Sequence, residues 1–458
     1  MFNRLVGIRQ KLSPNLRQII GSVGWLSLEK ILSIAINLTV GIYVIRYLGS
    51  SQFGKFSYCL SLVGMFEALA KLGLDGIVLR TLVREEESTT DILGTALILK
   101  LLGALVTWVL IFGVTRTLQG DPQVNWMVLA IALGLIFKPT EVIDFWFRSQ
   151  VQAMPVALVR SLKLLIGSAI KISFMALGYS LTAFVWLLLA EEILRALGMV
   201  AIYWRYSRLK SWRSLSLSRW TFNLTRAKEM LRDSWPLILS GVMITIYMKI
   251  DQVMLGNMTT KEVVGNYAAA VKFSEVWYFF PMAICTSIFP SIIQAKQKSN
   301  RAYYTKLQQL YDLMAWLSLA IAVVMTFASG LLVQVVLGTE YLAAGQILAL
   351  HIWAGPFVFL GIARSQWLMA ENLTRLSFAC TSLGMIANLA LNFWLIPIYG
   401  GNGAAIATVI SYGVVSHLAC LIYPKLGDTG WMLTKALFIP LRIRQNLIYL
   451  SRLKKIFS

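Results

Sequence analysis

Eleven basic residues and several acids sit where lipid should be, and ten of these charges are candidates for chemistry. Arg160, Lys163 and Lys171 lie in the apolar run 155–177, spaced three and then eight residues apart. At 100° per residue all three share one side of a helix, with Gly167 between them. No acid lies in that run. Lys30, Lys249, Lys272 and Arg364 are four more cations in apolar surroundings, and Asp75, Asp251 and Glu275 are acids near them in sequence. A charge inside a membrane is costly and needs a reason. A surplus of cations has a natural ligand in a phosphate or a carboxylate. The alternative is that these groups form pairs between helices, or that their long side chains snorkel to the interface.

Some charges find partners by spacing alone. Glu67 and Lys71 are i,i+4; Lys138 and Glu141, Glu192 and Arg195, and Lys272 and Glu275 are i,i+3. Lys100 has no partner on its own helix. Lys249 and Asp251 are two apart and point to different faces. Arg364 has no acid nearer than Glu371, a further seven residues on.

The elements that carry these residues are apolar stretches of about 20 residues, the length of a membrane-crossing helix. Residues 31–45 and 313–337 are clear cases. With 57% hydrophobic and 14% charged residues, most soluble enzymes are excluded. About twelve spans are expected, near 19–45, 55–79, 92–115, 125–147, 155–177, 181–204, 234–256, 264–290, 310–337, 344–370, 375–398 and 402–424, with ends good to about 2–4 residues. Pro139, Pro281 and Pro356 fall inside spans, where each removes a helix hydrogen bond and permits a kink.

The net charge of +21 suggests nucleic acid at first sight, but its placement explains it otherwise. About 27 basic residues near span ends fall on one side, and Arg46, Lys55, Arg116 and Lys261 on the other. That bias puts both termini in the cytoplasm, and anionic lipid is partner enough for the basic loops. Nucleic acid is therefore not expected. The first apolar run has no small-residue cleavage site after it and reads as a retained span. Cys59, Cys285, Cys380 and Cys420 are isolated, as are His351 and His417, so neither a disulfide framework nor a metal site is expected.

The chain echoes itself. LGSSQFGKFSY at 48–58 resembles LGNMTTKEVVGNYA at 255–268, and LGYSLTAFVWLLLA at 177–190 resembles YGGNGAAIATVISYG at 399–413. The same order, at offsets of 207 and 222 residues, marks two halves of six spans, related as parallel repeats. The expected organisation is a basic cytoplasmic segment 1–18, a lobe 19–204, a basic linker 205–233, a second lobe 234–424 and an amphipathic basic tail 425–458 at the cytoplasmic interface. No GxSxG, HExxH or phosphate-binding loop is present, and the outer loops are short, with only Asp121, Glu262 and Glu340 as acids. Neither enzymatic activity nor a cofactor is expected.

Three stretches carry a family resemblance. YLGSSQFGKFSYCLSLVGMFEALAKLGLDGIVLR at 47–80, IDQVMLGNMTTKEVVGNYAAAVKFSEVWYFFPMAICTSIFPSII at 250–292 and NLALNFWLIPIYGGNGAAIATVISY at 388–412 resemble bacterial Wzx-type polysaccharide flippases. These belong to the multidrug/oligosaccharidyl-lipid/polysaccharide exporter superfamily. The resemblance implies an all-α membrane protein, a V-shaped MATE/MurJ-like bundle of two six-helix lobes in the cell membrane. It implies alternating access and transfer of an undecaprenyl-diphosphate-linked oligosaccharide to the outer leaflet, for O-antigen or exopolysaccharide assembly. The cationic cavity would be supplied by Lys30, Arg160, Lys163, Lys171, Lys249, Lys272 and Arg364. Asp75, Asp251 and Glu275 would orient them or couple transport to a proton or sodium ion. Membrane lipid and the polysaccharide polymerase machinery are further expected contacts. Glu29 and Lys30 stand where lipid II flippases have an arginine-rich first helix, which argues against lipid II as cargo. The competing readings are a cation-coupled drug or metabolite antiporter of the same superfamily, favoured by an acidic cavity, and a membrane polymerase or ligase, which would need a large outer loop.

Overall fold

The computed structural model describes residues 14–85, 88–117, 121–209, 219–447 and 449, all helical or in turns, with no strand among them. Arg4, Arg9, Lys11, Lys210, Arg213, Arg452, Lys454 and Lys455, from the expected basic end segments and linker, lie outside the described residues. The contacts divide the chain into two units, Met1–Leu48 with Cys59–Thr245, and Gly49–Tyr58 with Ile246–Ser458.

The first unit opens with α1 (Pro14–Lys71), whose residues Gly49–Tyr58 belong to the second unit; it is interrupted at Gly49, whose φ of 69° is open to glycine and strained for other residues. Next come α2 (Asp75–Arg84), α3 (Thr89–Thr117) and α4 (Pro122–Leu133). Asp121 opens α4, its carboxylate accepting from the Gln123 N–H at 2.9 Å. A 3₁₀ stretch (Gly134–Glu141) holding Pro139 joins α4 to α5 (Val142–Ser149), as a proline that removes a helix bond requires. Then follow α6 (Met154–Ala176) and α7 (Leu181–Leu209). The core forms where α5 buries Val142 to Phe147 against α2 and α3. Trp146 meets Tyr203 edge-on at 5.0 Å, and Trp220 donates to the Tyr203 hydroxyl.

In the second unit, α8 (Leu224–Met258), whose residues from Ile246 on belong here, leads through a turn capped by Thr260 into α9 (Lys261–Glu275). A 3₁₀ turn (Val276–Tyr278) precedes α10 (Phe279–Lys298), with Pro281 in its first turn. After α11 (Asn300–Leu337), α12 (Leu342–His351) and α13 (Ala354–Ala370) meet at a 49° bend just before Pro356. The long α14 (Thr374–Gly413), broken at Gly400, runs through a π turn (Val414–Leu418) into α15 (Ala419–Ile422). The tail forms α16 (Gly427–Leu437), which buries Leu433 and Ala436 in the core of this unit. Arg442 and the Tyr449 hydroxyl both reach buried Asp312 on α11, at 3.0 and 2.7 Å. This part of the expected interfacial tail is therefore docked on protein, while Trp431, Leu441, Ile443 and Leu447 remain exposed.

Val324, Phe327, Leu331 and Val335 of α11 are exposed at helical spacing, Phe327 by 84%. A bare apolar face of that kind suits lipid as its solvent. Seven described helical stretches are long and apolar enough to cross a membrane, or eight if the bent α12–α13 pair is one span. The chain is a multi-pass membrane protein.

Candidate functional site

The stripe on α6 meets acids that its own helix lacks. An Arg160 guanidinium N–H donates to Asp144 on α5 at 2.7 Å. The Lys163 ammonium donates to Glu192 on α7 at 2.7 Å, and Lys171 pairs with Glu191 at 2.7 Å. Position 167 explains how the last pair forms. A Cβ there would stand 2.2 Å from Glu191 Oε1, so glycine lets the carboxylate lie across α6. Arg195 donates to the second oxygen of Glu192 at 2.8 Å, and Arg148 pairs with Asp144. The sequence expectation of cations without counter-ions is thus replaced by pairs between helices, the alternative weighed above.

These charged groups, Arg148 apart, line a cavity of ≈ 330 Å³ within the first unit. Glu29, Ser33 and Asn37 of α1 form one wall, and α5, α6 and α7 with the 3₁₀ stretch form the rest. Lys138, Arg160, Lys163, Lys171 and Arg195 face Glu29, Glu141, Asp144, Glu191 and Glu192, so the lining is close to charge-balanced. A buried pair is strong only while both members stay; losing one typically costs about 3–5 kcal/mol. An incoming dianion can take over cations from the carboxylates through charge-assisted hydrogen bonds without stripping them of partners.

Other expected site residues lie elsewhere. Asp75 pairs with Lys100 at 2.6 Å, which gives Lys100 the partner its helix lacked. Lys138 reaches Glu67 at 2.7 Å, the acid that also holds Lys71, and not Glu141 three residues on. Lys30 is exposed on α1 and is not part of the lining, although its neighbour Glu29 is. Lys249, Lys272 and Glu275 are half-buried in the second unit. Arg364 is buried on α13 and braces the π turn, donating to the Val415 carbonyl at 2.6 Å and touching Cys420 Sγ at 3.1 Å.

Asp251 occupies a second polar centre, inside the second unit. Tyr267 and Thr408 donate their hydroxyls to Oδ2 at 2.7 and 2.6 Å, and Asn392 Nδ2 donates to Oδ1 at 2.6 Å. Asn392 also donates to Asn388, whose amide donates to Ser411. All these partners are uncharged and buried. The Asn392 Oδ1 is buried with no hydrogen-bond partner. A carboxylate beside a free amide oxygen and a hydroxyl matches the oxygen donors of a hard cation, and equally a site for a proton. Sequence reading found Asp251 but missed its cage. Asn388 and Asn392 at i,i+4 in an apolar run were the available signal.

Comparison with known proteins agrees across nearly the whole chain. The family model described as polysaccharide biosynthesis protein matches residues 19–296, and the MatE model matches 236–394. A probable low-salt glycan biosynthesis flippase, Agl15, of Haloferax volcanii is 24% identical over 379 residues, covering 81% of this chain and 76% of that protein. Among solved structures, lipid II flippase MurJ in an inward closed conformation superposes with a TM-score of 0.66 at 15% identity, over 93% of this chain and 92% of that one. An inward-facing multidrug MATE transporter of the MOP superfamily gives 0.66 at 14% identity, over 92% of this chain and 99% of that one. The two structural likenesses establish the fold.

Proposed function

The chain belongs to the polysaccharide biosynthesis protein family, and on that premise we propose that it is a flippase for an oligosaccharide carried on a polyprenyl diphosphate. The observation that carries this reading is the ≈ 330 Å³ cavity of the first unit, with five cations set among apolar helices. Arg160, Lys163 and Lys171 receive the diphosphate there, and Asp144, Glu191 and Glu192 hold those side chains in place while the cavity is empty of substrate. The lipid tail stays in the bilayer and the glycan crosses by alternating access, from the cytoplasmic to the outer leaflet of the cell membrane. Asp251, in its cage of hydroxyls and amides, takes the coupling ion, a proton or sodium. The glycan flippase among the relatives supports the substrate class.

The test is a deletion strain complemented by variants and analysed for lipid-linked glycan. Arg160→Gln, Lys163→Gln and Lys171→Gln are combined with Glu191→Gln, so that no carboxylate loses its last cation: Asp144 keeps Arg148 and Glu192 keeps Arg195. That variant should accumulate the lipid-linked intermediate and reduce surface glycan at least ten-fold, with the protein still present in the membrane. Normal export by it would remove the cavity from the mechanism.

The five carboxylates of the same cavity favour a second reading, a drug or metabolite antiporter, because they could receive an organic cation. In that case the deletion strain would export glycan normally and become sensitive to cationic compounds.

A further inference from the structure

The second unit holds another pocket, of ≈ 310 Å³, with a different chemistry. It forms where three pieces of chain meet: the start of α9, α12 and the break in α14. Gly400 makes the break, with φ 55° and ψ −128°, and the next residue presses close to α12, since a Cβ on Gly401 would lie 2.7 Å from Ile347 Cδ1. Asn266 fastens the base, its carbonyl oxygen accepting from the Ala344 N–H at 3.1 Å and its amide donating to the Glu262 carbonyl.

The groups left to meet a ligand are Glu262, Gln346, Tyr399 and Asn402. Asn402 Oδ1 is buried and has no hydrogen-bond partner in the protein. A buried acceptor of this kind is normally satisfied by something. Tyr399 is 58% exposed, so more than half of its surface is open to a ligand.

The lining decides the class of ligand by what it contains. Glu262 is its one charged residue, and no cation lines it, so a phosphate or carboxylate would be repelled. Amides and a carboxylate accept and donate around vicinal hydroxyls, and a phenol ring offers its face to the C–H side of a pyranose. The volume argues against a lone metal ion. It equals the share of about ten waters at ≈ 30 Å³ each, far more than one ion occupies, and lies at the lower end of small-ligand pockets.

We propose that this pocket binds one neutral sugar residue of the transported glycan, a subsite separate from the headgroup cavity of the first unit. The proposal rests on the glycan-flippase reading. The charge bias of the chain puts this end of the second unit outside, because Lys296 and Lys298 end the α9–α10 stretch that begins at the pocket, and Arg375 begins α14, whose break at Gly400 lines it. A subsite on that side would hold the glycan after it has crossed and make release depend on sugar identity.

The experiment uses the full-length protein in detergent and two soluble probes. One is the neutral oligosaccharide freed by mild acid from the lipid-linked glycan of the producing cells. The other is inorganic pyrophosphate. Glu262→Gln and Asn402→Leu should each weaken oligosaccharide binding at least ten-fold by calorimetry and leave pyrophosphate binding unchanged. Arg160→Gln with Lys163→Gln should do the reverse. Glu262 is exposed, so its variant keeps the fold, and an unchanged melting temperature verifies that for both. Oligosaccharide binding that is absent in the wild type, or indifferent to both pocket variants, overturns the subsite. Calcium binding that needs Glu262, without sugar binding, replaces it by a cation site. In those cases pyrophosphate binding that depends on Arg160 leaves the flippase reading standing. Loss of that binding together with normal glycan export in the deletion strain removes the flippase reading itself.

Discussion

Lys100 and Asp251 are both charges closed off from water, and they are settled differently. Lys100 has an acid at 2.6 Å and the Phe145 ring 4.7 Å from its ammonium, a pair that neutralises itself. Asp251 is held by hydroxyls and amides alone. An ionised carboxylate in that cage calls for a cation or a proton, so its replacement should spare the fold and alter coupling. Asp251→Asn keeps the shape and the hydrogen-bonding size. Its melting temperature in detergent should stay close to that of the wild type, while the shift in that temperature on adding sodium disappears and the shift on changing pH in sodium-free buffer shrinks. A variant that keeps the wild-type ion response shows the cage to be structural. The Asp251 residue itself was legible as an acid in an apolar run. Its partners Tyr267, Asn392 and Thr408 were not, because they come from α9 and from the two sides of the break in α14, and spacing rules see only neighbours on one helix. The same limit hid Glu191 and Glu192 as partners of the α6 stripe.

At the scale of the elements, the repeated LG-turn motifs pack on each other. A Cβ on Gly54 would lie 1.6 Å from the Lys261 carbonyl oxygen, and one on Gly265 would lie 1.9 Å from that of Ser50. The contact is reciprocal, each motif's glycine resting on the other's backbone. Glu340 locks the same place, accepting from the Ser50 N–H at 2.6 Å and from its hydroxyl at 2.9 Å. Small residues are what allow helices in lipid to approach this closely. Gly54→Ala or Gly265→Ala should therefore force the backbones apart and destabilise by ~3 kcal/mol or more. Gly113→Ala, with nothing within 4 Å of the added carbon, should be neutral. Equal melting temperatures for Gly265→Ala and Gly113→Ala would refute this packing. The motif echo and its glycines were legible in the sequence; that the two copies touch was not, because a repeat states likeness and not contact.

For the whole molecule, the apolar runs told most of the architecture. The two long helices less apolar than the rest, α6 and α7, are the ones that carry Lys163, Lys171, Glu191 and Glu192 and neutralise one another. Charge that looks forbidden helix by helix is permitted to the pair. If α6 and α7 each cross once, and the stretches broken at Gly49 and Gly400 cross twice, the chain has the twelve spans of the sequence reading. Reporter fusions measure this directly. A fusion after Arg219 should remain cytoplasmic and one at Thr260 should report outside. An external Arg219 fusion would invert the sidedness on which the outer position of the sugar subsite depends.

The placement of residues 49–58 has a consequence in time. By contact they belong with Ile246–Ser458, yet they leave the ribosome almost 200 residues ahead of that partner. At ≈ 5–20 residues per second, synthesis of the intervening chain lasts on the order of ten seconds or more. Through that interval the Gly54 face is made but unmatched, bare backbone in want of a neighbour. An early segment is thus among the last to be seated, and the nascent chain has to shelter it until translation delivers Gly265.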